Sequence, residues 1–123
     1  METEKLKALR GAVCCVNTAE SIAKNTVDLY DTILQANSLK EADLISIFFS
    51  VTPDLNVLNP AAALRCSGRA EKTAMMVFQE AVVQDGLPNT IRILIHCCME
   101  DSRPVQHAYI GGAEKLRPDW ALP

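Results

Sequence analysis

Apolar residues recur along the 123-residue chain with two different periods, and the places where the period changes mark its elements. Leu6 to Val16 mixes polar and β-favouring residues with no helical spacing, which predicts an opening strand whose Arg10 can project from one sheet face. From Thr18 the period lengthens: Ile22, Thr26, Leu29, Tyr30, Ile33 and Leu34 return at helical intervals. Thr18 suits the N-cap, because its side chain can accept a hydrogen bond from an orphan backbone N–H, and Asn37 ends the helix. Ser38 to Asp43 then reads as a short helical connection. It leads into Leu44 to Thr52, a run of Ile, Phe and Val that predicts a buried strand.

Proline punctuates the next stretch. Pro53 disfavours further strand pairing, so Thr52-Pro53-Asp54 is a break, and Asn59-Pro60 supplies N-cap and N1 of a second helix that Gly68 can terminate. Arg65 therefore projects from a helix. Lys72 to Val83 and Asn89 to Glu100 read as two strands joined by a loop through Asp85, Gly86 and Pro88. Gln106 to Ile110 adds a short strand, and Leu116-Arg117-Pro118-Asp119 begins a mobile carboxyl-terminal tail from about residue 117. The order strand, helix, strand, helix, strand, strand, strand predicts an α+β fold with helices packed on one face of a mixed β-sheet.

Composition narrows the reading to one domain over residues 1–123. A chain of 13.5 kDa supports a single core, and 49% hydrophobic with 22% charged residues is ordinary for a globular protein. The net charge is -3 and the basic residues are scattered, which argues against nucleic-acid or anionic-membrane partners; any basic site must be local. No segment approaches the roughly 18 to 20 apolar residues of a membrane span. Met1-Glu2-Thr3-Glu4-Lys5 is too acidic for a signal peptide, so a cytoplasmic location is expected. Five cysteines in a reducing compartment read as free thiols packed as small hydrophobes.

Several kinds of chemistry lack a candidate. Cys14-Cys15 and His96-Cys97-Cys98 first suggest a metal, but adjacent strand residues face opposite sides and cannot readily chelate one ion together; no C-x-x-C pair is present. No local signature supports a Cys-His nucleophile, and no glycine-rich phosphate loop points to a nucleotide cofactor. The informative residue is Arg92. Alternation in Thr90-Ile91-Arg92-Ile93-Leu94-Ile95 puts the isoleucines on one face and Thr90, Arg92, Leu94 and His96 on the other. A guanidinium within an apolar strand needs a compensating anion. Either an internal salt bridge, with Glu80 as a partner, or an anionic ligand satisfies that need.

Motifs in a fixed order supply the context. Arg10-Gly11-Ala12, Ser50-Val51-Thr52-Pro53-Asp54-Leu55, Pro60-Ala61-Ala62-Ala63-Leu64-Arg65, Gln79-Glu80 followed by Gly86-Leu87-Pro88 and Ile91-Arg92, then His107-Ala108-Tyr109 and Leu116-Arg117-Pro118-Asp119, span nearly the whole chain. Together they resemble the trimeric α/β chorismate mutases, a class distinct from the all-helical enzymes of the same activity. The resemblance implies a ferredoxin-like-related domain whose homotrimer forms a pseudo-α/β-barrel, with three sites at subunit interfaces. It implies a cofactor-free conversion of chorismate to prephenate in phenylalanine and tyrosine biosynthesis.

Carried over by position, the resemblance has Arg92 contact the ether oxygen and a carboxylate, Arg10 hold a carboxylate, Tyr109 donate to the substrate and Glu80 bind the ring hydroxyl. Arg65 and Arg117 would stand at the mouth, with Asn59, Ala61, Val77 and Leu116 completing the substrate-binding wall and the second helix coming from a neighbouring subunit. The chain departs from the pattern at Asn59, where phenylalanine is common, at Ala62, where lysine occurs, and at Val77, where cysteine occurs. Two rivals share part of this picture: a trimeric imine deaminase, and a non-catalytic trimer that binds an aromatic-pathway metabolite.

Overall fold

Strand β1 (Glu4–Cys14) divides its side chains between two environments: Leu9 and Val13 are buried, while Leu6, Ala8 and Arg10 on the alternate face are exposed. In the computed structural model, which describes residues 3–121, that division recurs along the sheet except where Tyr109 and Ala113 bury Ala12 on the second face. Met1 and Glu2 of the acidic amino-terminal segment, and the end of the tail beyond residue 121, lie outside the described residues. β2 (Leu44–Val51), β3 (Ala74–Gln79), β4 (Thr90–Glu100) and β5 (Ala108–Ile110) complete a five-stranded sheet in the order β3-β2-β4-β1-β5. β4 runs antiparallel to both β1 and β2, whereas β2 pairs parallel with β3 and β1 with β5, so the sheet is mixed.

Helices α1 (Ala19–Ala36) and α2 (Pro60–Cys66) cover one face. Thr18 Oγ1 accepts from the Ser21 N–H at 3.1 Å, the expected cap, and Ile22, Leu29, Tyr30 and Ile33 form the buried stripe of α1. Leu64 and Ala61 of α2 join the same core as Leu9, Val13, Ile47, Phe49, Ile91, Ile93 and Ile95. Burying each such branched side chain contributes about 1.5–3 kcal/mol, which makes this layer the main source of stability. Gly11 is required here: a Cβ would come 2.6 Å from the Ala108 carbonyl and 2.8 Å from Ile33 Cδ1, so only glycine lets β5 and α1 close on β1.

The two strands flanking the glycine-proline loop prove not to be partners. β3 ends at Gln79 rather than Val83 and sits at the sheet edge, separated from β4 by β2. The α2 crossover returns the chain parallel to β2, so β3 takes the free edge and β4 the centre. Beyond Gln79 the Glu80 N–H still reaches back to the Val51 carbonyl at 2.8 Å, and the chain then leaves the sheet as a loop. At the other end, Gly111 and Gly112 have φ of 60° and 98°, and they turn the chain into short 3-10 turns at Ala113–Leu116 and Pro118–Trp120. Residues written as a tail thus fold back on β5, where Ala121 bridges to Tyr109.

Candidate active site

Away from the helices, the second sheet face is the one on which the charged residues meet. Register sets Ser50 and Ala12 on either side of Arg92, and Arg10 opposite Leu94, so Arg10, Ser50 and Arg92 share that face. The chain leaving β3 brings Glu80 to them. Glu80 Oε1 accepts from Arg92 Nε at 2.6 Å and from Ser50 Oγ at 3.1 Å. Among the described residues the terminal nitrogens of Arg92 have no hydrogen-bond partner. The internal acid and the open cavity are therefore both real: Glu80 caps one edge of the guanidinium, and the other edge is left for an anion.

Arg92 and Glu80 border a cleft of about 820 Å³, walled by Thr52, Pro53 and Asp54 on one side, by the loop from Ala81 to Pro88 on the other, and by Leu116. Arg92 also borders an adjoining hollow of about 200 Å³ that contains Arg10, Phe48 and Phe78. The cleft walls are tied together. Thr52 Oγ1 donates to Asp54 and accepts from the Thr90 N–H, while the Asp54 carboxylate accepts from the Asn89 N–H at 3.1 Å. The turn into β4 needs this anchor because Asn89 is left-handed, with φ 54°.

A second cluster adjoins Arg10. Tyr109 is 1% exposed and its hydroxyl is buried without a partner among the described residues, an uncommon condition for a phenol. Trp120 lies against it, and Arg117 stacks on the indole with Cζ 3.4 Å from the ring centroid. Arg117 also forms a forked ion pair with Asp119, at 3.0 and 2.7 Å, which holds the Asp119 carboxyl below its ordinary range. His107 accepts the Arg10 N–H at Nδ1; burial, with Arg10 and Arg117 nearby, lowers its pKa.

One chain thus brings Arg10, Glu80, Arg92 and Leu116 to the two cavities, and links Tyr109 and Arg117 to Arg10 through Trp120. It does not bring the α2 residues there. Asn59 is engaged as the helix cap, with its Oδ1 accepting from Ala61 and Ala62 N–H at 2.8 and 3.2 Å. Ala61 is in the core, Val77 lies beside Phe49 on the helix-covered face, and Arg65 is exposed. Within one chain, parity and capping point these side chains away from the two cavities, while the resemblance assigns α2 to the site of a neighbouring subunit. Sequence reasoning gave no role to Ser50 or His107 and missed Trp120. Alternation in β2 could have found Ser50, a polar residue between Phe49 and Val51; no periodic signal marks Trp120.

The Arg-lined cleft on a mixed α+β sheet defines a small-molecule site for an anion, and comparison with known proteins gives that class its family. A model of chorismate mutase type I matches residues 6–120, and the chain belongs to that family. It is 29% identical over 119 residues to chorismate mutase AroH of Bacillus subtilis (strain 168), covering 95% of this chain and 94% of that protein. To chorismate mutase AroH of Thermus thermophilus it is 32% identical over 117 residues, with 93% and 95% covered. The solved chorismate mutase from Clostridium thermocellum superposes with a TM-score of 0.83 at 37% identity, over 89% of this chain and 98% of that one.

Proposed function

We propose that this single domain converts chorismate to prephenate in the cytoplasm, as a cofactor-free step of aromatic amino acid biosynthesis. The observation that carries the reading is Arg92: it is anchored on one edge by Glu80 and open on the other to a cleft, in a chain of the chorismate mutase family. The reaction breaks a C–O bond as a C–C bond forms within one molecule, so no nucleophile or proton transfer is needed.

Two tasks fall to the protein. One is to hold a flexible dicarboxylate in its compact reactive conformer, a task that suits the rigid forks of Arg10 and Arg117. Positioning of this kind supplies up to about 7–11 kcal/mol. The other is to stabilise charge growing on the ether oxygen; a preorganised donor such as Arg92 contributes about 3–4 kcal/mol. A millionfold acceleration requires only about 8 kcal/mol, so the two effects suffice. In this reading Glu80, braced by Ser50, takes the ring hydroxyl, and the buried Tyr109 hydroxyl finds its partner on the substrate.

A homotrimer fits the surface. Leu6, Met76 and Phe78 are 58%, 56% and 48% exposed on the sheet face that carries no helix, apolar surface that further copies of the chain would cover. A second copy docked there would bury it, and in the trimer that the family resemblance implies the neighbour's α2, with Arg65 and Asn59, stands at the cleft mouth. The test is to mix purified protein with chorismate, follow its ultraviolet absorbance and identify prephenate, while sedimentation gives the assembly mass. Hydrolysis of an imino acid without turnover of chorismate would support a deaminase instead, and thermal stabilisation by chorismate without turnover would support a binding protein.

A further inference from the structure

Trp120 is the one tryptophan of the chain, and its indole lies near both arginines assigned to the substrate's carboxylates. The His107 ring is 3.8 Å from it and tilted by 31°, while Arg117 Cζ is 3.4 Å from its centroid. Two planar groups this near one indole cannot share a face without overlapping, so Trp120 is sandwiched. His107 is in turn fixed to β1, since its Nδ1 accepts the Arg10 N–H at 2.9 Å. The Arg10 guanidinium lies 5.5 Å from the same indole. A continuous stack therefore runs from the backbone of Arg10 through His107 and Trp120 to the guanidinium of Arg117.

Such a stack answers a physical need. Two guanidiniums meant to grip one dianion repel each other before it arrives, and Arg117 stands on a segment held by little regular structure. The electron-rich indole face attracts both cations and restricts Arg117 to the neighbourhood of Arg10. Asp119 meanwhile occupies the fork of Arg117 as a substrate carboxylate would. We propose that Trp120 is a positioning residue for substrate binding, holding Arg117 and Arg10 on one aromatic platform. The idea rests on the carboxylate roles given above to Arg10 and Arg117.

The platform is sensitive to protonation through its lower ring. Nδ1 of His107 can accept the Arg10 N–H only while unprotonated; the imidazolium would lose that bond and add a cation beside Arg10 and Arg117, with Asp119 as the only nearby counter-charge among the described residues. KM for chorismate should therefore rise only at a pH below the ordinary imidazole value of about 6.5, because the folded chain holds His107 below it. His107→Asn should flatten that rise.

Kinetics with chorismate tests the proposal directly. Trp120→Ala should raise KM about tenfold, the effect of losing a partly desolvated cation–π contact, with kcat within about twofold of the parent. Trp120→Phe, which keeps a flat ring, should recover most of the affinity. In an Arg117→Ala background, Trp120→Ala should add much less than it does alone, because it acts largely through that arginine. The outcomes separate cleanly. A raised KM in Arg117→Ala beside an unchanged KM in both Trp120 variants would overturn the platform alone. Fully additive losses in the double variant would also overturn it, by assigning Trp120 to general stability. An unchanged KM in Arg117→Ala would overturn the carboxylate role of Arg117 and the platform with it.

Discussion

Replacing Arg92 with alanine removes the cation on which the proposed chemistry depends, and the size of the loss can be worked from its surroundings. The Arg92 and Glu80 side chains are 29% and 22% exposed, an environment between water and a dry interior, for which an effective dielectric constant of about 20 is suitable. At that value a unit charge about 3 Å from the guanidinium is stabilised by about 5.5 kcal/mol, and the half charge of a partly broken C–O bond by about 3 kcal/mol. The expected loss in kcat is therefore about a hundredfold. Glu80 sharpens the effect, because without Arg92 its carboxylate faces the developing negative charge uncompensated.

Initial rates of chorismate disappearance at saturating substrate measure this loss, with circular dichroism and sedimentation as checks that the fold and assembly persist. Arg65→Ala is the contrast. Its exposed side chain makes no ion pair among the described residues, and in the proposed assembly it meets only charge already present in the ground state, so it should raise KM several-fold and leave kcat nearly unchanged. A folded Arg92→Ala variant whose kcat stays within a factor of about three would refute the electrostatic argument, as would equal losses of both parameters in both variants.

Other expectations follow from individual groups. The rate at saturation should vary little between about pH 6 and 9, since arginine stays charged there and no proton moves; a bell-shaped profile would mean acid–base catalysis. Stability should respond differently. Because the pKa of His107 is lower in the folded chain, the unfolded chain takes up the proton first, so Tm should fall as pH drops through about 6.5 and level off below the folded value, less so in His107→Asn. Asn59→Ala removes two cap hydrogen bonds from a seven-residue helix and should cost about 1 kcal/mol, read as a lower urea midpoint. Cys97 is fully buried and its pKa is pushed up to about 11, so iodoacetamide at about pH 8 should label it only after urea is added. Labelling of Cys97 in the native protein at the rate of the unfolded chain would contradict its place in the core.

Much of the fold was legible from local pattern. The Thr18 cap and the stripe from Ile22 to Ile33 announce α1, Asn59-Pro60 announces α2, and the alternation around Arg92 assigns the faces of β4 before any partner strand is known. These signals are local because hydrogen-bond caps and side-chain periods act over a few residues. Motif order carried the family, and with it the residues Arg10, Glu80, Arg92 and Leu116 that meet at the cavities.

Pairing and closure lay beyond that reach. Nothing in the run from Ala74 to Glu100 says that β2 will separate β3 from β4, because strand neighbours are chosen by the crossover through α2 and by which face must be buried. Nor does Leu116-Arg117-Pro118-Asp119 say that the chain will fold back and slide an indole between His107 and Arg117, which requires Gly111 and Gly112 to turn it and β1 to hold His107 in place. The residue types, and so the charges available, were written in the chain; which of them stand within reach of one another was decided by long-range packing.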